Sequence, residues 1–166
     1  NASTFAVRVA ASTGAPMAAS LLAGLCAFSG PLHGGANRAL AQLVDECDRH
    51  GASHAVRAWI DRFGAIPGFG HALYPDGDVR AAPMTEGLPI DPMLRELVDV
   101  VVDTTGNLPN CDFTMLALAR SAGFPADAPY LMFLLGRSVG WAAHAMEQAL
   151  EGTLIRPRAT YIGAHS

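Results

Sequence analysis

The chain has 166 residues, 51% of them hydrophobic and 16% charged, with 11 Lys+Arg against 15 Asp+Glu and a formal net charge of −4. That is enough apolar matter for a packed core in one domain, or in one well-filled part of a larger one, and it excludes a disordered or low-complexity chain. No basic excess is present to neutralise phosphates, so nucleic acid is not expected as a main partner.

Cys26, Cys47 and Cys111 are too scattered for a disulfide framework, and no CxxC offers a zinc knuckle or a redox pair. A reducing, cytoplasmic setting is therefore expected. No basic segment precedes an apolar run at the start, so no signal peptide is expected. Residues 128–150 form the most apolar long stretch, but Arg137, His144, Glu147 and Gln148 interrupt it. That pattern suits a buried helix of a soluble protein better than a membrane span.

Apolar residues recur at spacings of three and four and seldom at two, which predicts an all-α fold. Helices are expected over 3–12 and 15–28. Gly30-Pro-Leu-His-Gly-Gly35 reads as a glycine turn entering the next helix, 36–48, whose apolar face is Ala36, Leu40, Leu43, Val44 and Cys47. Over 52–63 the face is Ala55, Val56, Trp59, Ile60 and Phe63. Gly64 to Pro89 is rich in glycine and proline and reads as a long loop, which in a compact helical domain points to binding. Asp91-Pro92 starts a helix over 91–103: the carboxylate accepts from orphan N–H groups and the proline has its φ already set. Its face is Leu94, Leu97, Val98, Val101 and Val102. Thr104 to Asn110 is expected to be non-helical. Helices then follow over 112–122, ended by Gly123-Phe-Pro125, and over 128–150. The tail after Tyr161 is expected to be loosely held.

Four polar residues stand at helix edges or in glycine-rich turns: His33 in PLHGG, His71 in GFGH, Arg80 and Asp112. Flanking glycines let backbone and substrate approach closely. Two imidazoles and a carboxylate form an acid/base set near neutral pH, and arginines offer planar forks for carboxylates. Singly, each has a plainer reading. Asp112 could be an N-cap, Arg156 and Arg158 a solvated cationic tail, and His50, His54, His144 and His165 packed or surface histidines.

The motifs NASTFAVRVAASTGA, SGPLHGGAN, IPGFGHALYPDGDVRA, PNCDF, GRSVGWAAHAMEQ and LIRPRATYIG occur in this order along the whole chain. Together they resemble the citrate synthase family. The resemblance implies an all-α, dimeric enzyme of a large and a small domain, acting in the tricarboxylic acid cycle. Such an enzyme condenses acetyl-CoA with oxaloacetate to citrate and CoA, with no metal and no permanently bound cofactor. It makes His33 similar to the histidine on the thioester carbonyl, His71 to the one that protonates the ketone, and Asp112 to the base. Arg80, Arg137 and Arg156 match arginines that bind oxaloacetate, the last reaching into the partner subunit's site. Ala65, Ile66, Gly68 and Gly70, with Asn110, match the loop wall that holds CoA. Homodimer formation is expected, with oxaloacetate and acyl-CoA as ligands.

Asp78-Val79-Arg80 stands where the family usually has Asp-Pro-Arg, and PNCDF where PNVDF is commoner; Cys111 is expected to pack and not to act as a nucleophile. The family's further oxaloacetate histidine lies before the position matched by Asn1. The chain is therefore expected to be the C-terminal part of a longer protein: 1–33 from the large domain, 34–122 the small domain, 123–166 a return to the large one. Alone it is expected to lack activity. Two alternatives remain: a 2-methylcitrate synthase using propionyl-CoA, or a non-catalytic binding or dimerisation fragment.

Overall fold

The computed structural model describes residues 1–160, 162 and 163. Tyr161, His165 and the end of the tail lie outside the described residues. Eight helices are described: α1 (Ala2–Ser12), α2 (Met17–Phe28), α3 (Ala36–His50), α4 (Ala52–Phe63), α5 (Ala81–Thr85), α6 (Pro92–Thr105), α7 (Cys111–Ser121) and α8 (Ala128–Glu151). Among the described residues there is no strand, only an isolated bridge between Phe69 and Pro109. The fold is all-α. Among the described residues, no helix is long and apolar enough to cross a membrane.

The chain divides into two compact units, residues 1–28 with 136–166, and residues 29–135. The expected seams at 33/34 and 122/123 lie 5 and 13 residues from these. Helix α8 begins in the second unit and continues into the first, so neither its start nor its proline-rich approach marks the boundary.

In the first unit α1 packs on α2. Asn1 caps α1, its Oδ1 accepting from Thr4 N at 2.9 Å and from Ser3 Oγ at 3.0 Å. Buried Trp141 donates from Nε1 to Ser3 Oγ at 3.1 Å and meets Phe28 edge-on. Arg8 holds Glu147 and, at 3.1 Å, Glu151 on α8. The same unit leaves Phe5, Leu22, Val139, Met146 and Leu150 exposed.

The second unit has the larger core. Leu40, Leu43 and Val44 of α3, Val56 and Trp59 of α4, Leu94, Leu97 and Val101 of α6, and Phe113 and Leu116 of α7 are all buried. They are the apolar positions that recur at three and four, so each helix turns its stripe inward. Asp91 caps α6 as the sequence predicts, accepting from Met93 N at 2.9 Å with Pro92 behind it. Two details differ from expectation. The loop 64–89 contains the short helix α5, and α6 runs on to Thr105. The hydroxyls of Thr104 and Thr105 bond back to Val100 O and Val101 O, so both fit a helix that stops only at Gly106, in the left-handed region at φ 73°.

Candidate active site

Asp112 lies in the first turn of α7, and the start of that helix is closed by its own cap, Asn110, and by Asp78 from the loop before α5. Asn110 Oδ1 accepts from Asp112 N at 2.9 Å and Phe113 N at 3.4 Å. Asp78 Oδ2 accepts from Cys111 N at 2.9 Å. These are orphan N–H groups that a helix cannot satisfy by itself.

Asn110 also works in the opposite direction. Its backbone N donates to Gly68 O at 3.0 Å and its Nδ2 to Gly70 O at 2.9 Å, while Gly70 N donates to Leu108 O at 2.8 Å. One asparagine therefore ties the GFGH turn to the helix that carries Asp112. Gly70 sits at φ 69°, a backbone region that costs a residue with a Cβ roughly 1–2 kcal/mol. His71 follows directly. Its Nδ1 accepts from Leu73 N at 3.1 Å, so the neutral ring carries its proton on Nε2, free to be offered to a ligand. A cavity of about 310 Å³ opens beside His71, lined also by Tyr74, Asp78 and Asn107.

His33 is placed by the glycine turn. Its N donates to Gly30 O at 3.0 Å, and Ala36 N donates to its carbonyl at 2.9 Å. The second glycine of PLHGG has no room for a side chain. A Cβ on Gly35 would lie 2.6 Å from Ser29 O and 2.7 Å from Gly30 O, both backbone atoms. The His33 ring meets Phe133 edge-on, centroids 5.7 Å apart. The turn reaches Asp112 through Asn37, whose Nδ2 donates both to Gly34 O and to Asp112 Oδ1, each at 3.3 Å.

Arg80 is held by Asp78. Its Nε donates to Asp78 Oδ1 at 2.8 Å, its Nη2 to Oδ2 at 2.7 Å, and its backbone N to Oδ1 at 3.0 Å. The guanidinium lies over the Tyr74 ring, 5.2 Å from the centroid. The Asp78 side chain is fully buried, and the Arg80 fork holds its carboxyl far below the usual carboxylate range. Burial pushes the Asp112 carboxyl upward; the Asn37 hydrogen bond, then the Arg80 charge and that of the His71 ring when it is protonated, oppose that rise. Burial likewise pushes the Cys111 thiol up to about 12, which makes it a packing group and a poor nucleophile.

His33, His71, Arg80, Asp112 and Asn110 thus belong to one unit, as do Ala65, Ile66, Gly68 and Gly70. Ile66 is buried in the core, so it can offer a ligand only its backbone. Arg137 and Arg156 belong to the other unit. Arg137 Nε is buried without a hydrogen-bond partner among the described residues, and Arg156 is exposed. No group of three or more His, Cys, Asp or Glu among the described residues is placed to hold a metal. A cavity of about 520 Å³, mostly apolar, lies against α6, with Leu94, Val98 and Phe113 in its wall. Its wall includes neither His33, His71 nor Asp112, whereas the smaller cavity described above has the His71 ring in its wall. The sequence reading missed two residues, Asp78 and Asn37. Both sit in motifs it quoted, two residues before Arg80 and four after His33.

The family profile described as "Citrate synthase, C-terminal domain" matches residues 1–158. The chain belongs to the citrate synthase family. It is 36% identical over 181 residues to the putative citrate synthase 2 of Mycobacterium tuberculosis, covering 98% of this chain and 47% of that protein. It is 35% identical over 174 residues to 2-methylcitrate synthase 1 of Corynebacterium glutamicum, covering 98% and 46%. Its fold matches the citrate synthase of Thermoplasma acidophilum, solved as a ternary complex with carboxymethyl coenzyme A and oxaloacetate. There the TM-score is 0.75 at 32% identity, over 100% of this chain and 49% of that one. The chain thus spans about half the length of the curated relatives it matches.

The Asp78–Arg80 pair ties pH to stability. Because the folded carboxyl is depressed, its contribution is present above the unfolded value of ~3.9 and is lost as pH falls towards the folded one. Asp78→Asn is expected to destabilise the protein at pH 7 by about 1–3 kcal/mol. In urea unfolding followed by circular dichroism, the gap between variant and parent should narrow below about pH 4. A gap independent of pH would remove the ion pair as its cause.

Proposed function

We propose that the protein to which this chain belongs is a citrate synthase-type acyltransferase, with Asp112 as base, His33 on the thioester carbonyl and His71 on the ketone of oxaloacetate. The observation that carries the reading is the double use of Asn110, which caps the helix bearing Asp112 and holds the turn bearing His71. Arg80 and Arg137 are the countercharges for an oxaloacetate dianion. Arg156 serves a partner subunit in a homodimer. Backbone of the loop 65–70, with Asn110, lines the CoA site.

The chemistry explains why these residue types are needed. A methyl next to a thioester is a weak carbon acid, so a carboxylate can take its proton only if the enolate oxygen is stabilised at once. A neutral imidazole N–H from His33 does this, and one such donor is worth roughly 3–4 kcal/mol. The enol carbon then attacks a ketone polarised by the Nε2 proton of His71. The carbon–carbon bond forms as that proton reaches the new alkoxide, giving citryl-CoA. Water then cleaves the thioester and releases CoA. Holding the two substrates in attack geometry supplies a further ~7–11 kcal/mol. A burial-raised carboxyl at Asp112 is a stronger base than an exposed one, at the cost of needing neighbours that keep it ionised.

The second reading, a 2-methylcitrate synthase, is favoured by the 35% identity to the Corynebacterium enzyme of that name, close to the 36% shared with the mycobacterial citrate synthase relative. The two substrates differ by one methylene, worth only ~1–3 kcal/mol of discrimination. The 166-residue chain by itself is proposed to be a non-catalytic piece. The exposed Phe5, Leu22, Val139, Met146 and Leu150 suit burial against further protein.

Asp112→Ala in the complete protein is expected to lower kcat by about 10²–10⁴-fold with little change in oxaloacetate KM; a near-parental rate would refute the base. The ratio of kcat/KM for acetyl-CoA and propionyl-CoA separates the two synthase readings, a ratio above one favouring citrate. The 166-residue chain alone should release no free CoA thiol from acetyl-CoA and oxaloacetate above background; turnover comparable to the complete protein would contradict its incompleteness.

A further inference from the structure

We propose that Asn37 is a positioning residue for Asp112, its carboxamide aiming the base and favouring the ionised form from the α3 side. The inference rests on Asp112 being the base.

Asn37 is 6% exposed and lies in the first turn of α3. A purely structural account of it is weak. Its side chain donates to Gly34 O at 3.3 Å, but the Asn37 backbone N donates to the same carbonyl at the same distance. The turn therefore does not need the amide. At the other end, Asn37 Oδ1 is buried with no hydrogen-bond partner. A buried orphan acceptor is unfavourable, and an apolar side chain of similar size would avoid it. What the amide does that an apolar group could not is donate to Asp112 Oδ1.

The idle oxygen acquires a use once Asp112 has taken a proton. A carboxylate accepts only, whereas a carboxylic acid also donates. The terminal torsion of asparagine is broad and roughly two-fold. A half-turn of the carboxamide presents Oδ1 where Nδ2 had been, and it can then accept the new O–H of Asp112. The same side chain thereby serves both protonation states that a base passes through in each turnover. No bond other than hydrogen bonds is made or broken at Asn37.

The other groups acting on the Asp112 carboxyl come from the loop 64–89. Arg80 and His71 favour its charged form and Asp78 opposes it, with burial the largest opposing effect. Helix α5, which also packs on α7, carries no charged residue. From α3 it is the neutral Asn37 that reaches the carboxyl. Removing its donor raises the pH at which Asp112 ionises. The sign follows: the base is then available over a narrower range, and the acid limb of activity moves to higher pH.

The test is the pH dependence of kcat in the complete protein for Asn37→Ala and Asn37→Asp, with Asp112→Ala alongside and a thermal melt for each. Asn37→Ala is expected to lose about 10–100-fold in kcat near neutral pH, with oxaloacetate KM changed less than about threefold. Its acid limb should lie above that of the parent. Asn37→Asp keeps the size and sets a second carboxyl against Asp112, so its limb should lie higher still. It carries the test if the alanine variant does not fold. A variant that melts like the parent and keeps the parental limb overturns the inference, as does a loss of kcat equal at every pH. If Asp112→Ala remains active, the base assignment itself fails; if it is inactive while the Asn37 limbs are parental, only the role of Asn37 fails.

Discussion

A carboxylate withdrawn from water keeps its charge only with help from its neighbours, and the second unit gathers such neighbours around Asp112. Burial pushes the carboxyl towards its neutral form. Against this stand the positive end of α7, the Asn37 amide and the nearby charge of Arg80. The helix end favours an anion only within its first turn, so Asp112 has to follow the cap almost immediately, as it does two residues after Asn110.

The same need explains why the head of α7 is a junction. Its first N–H groups are taken by Asp78 and Asn110, side chains that each hold something else as well. Asp78 grips the Arg80 guanidinium, and Asn110 grips the backbone before His71. The long loop 64–89 is thus pinned at two points to a single helix end. A buried carboxylate with a bidentate arginine and two backbone donors is fully satisfied, which makes the pin stiff. It also orients the arginine: two of its nitrogens are committed to Asp78, which sets the direction of the remaining edge.

Much of this was legible in the chain. The apolar stripes of α3, α4 and α6 recur at helical spacing because each helix buries one face, and the Asp91-Pro92 start shows itself because cap and proline are local chemistry. His33, His71 and Asp112 stand out because they sit in glycine turns or beside a cap. Asp78 and Asn37 were not legible. An aspartate two residues before an arginine and an asparagine four after a histidine look like ordinary loop and helix residues. What singles them out is contact with Cys111 N and with Asp112, which are 33 and 75 residues away along the chain. Helix α5 was hidden for the opposite reason: five residues carry too little periodicity to rise above a glycine- and proline-rich background.

Local rules of capping, turn chemistry and amphipathic spacing act over a few residues, so the order of residues by itself determined the all-α class, most helix ends and the candidate acid, base and arginine set. Which groups share a hydrogen bond depends on packing between segments far apart in the chain. Only the tertiary structure decided that Asn110 would bind the His71 turn, that Asp78 would join Arg80 to α7, and that Asn37 would be the partner of Asp112.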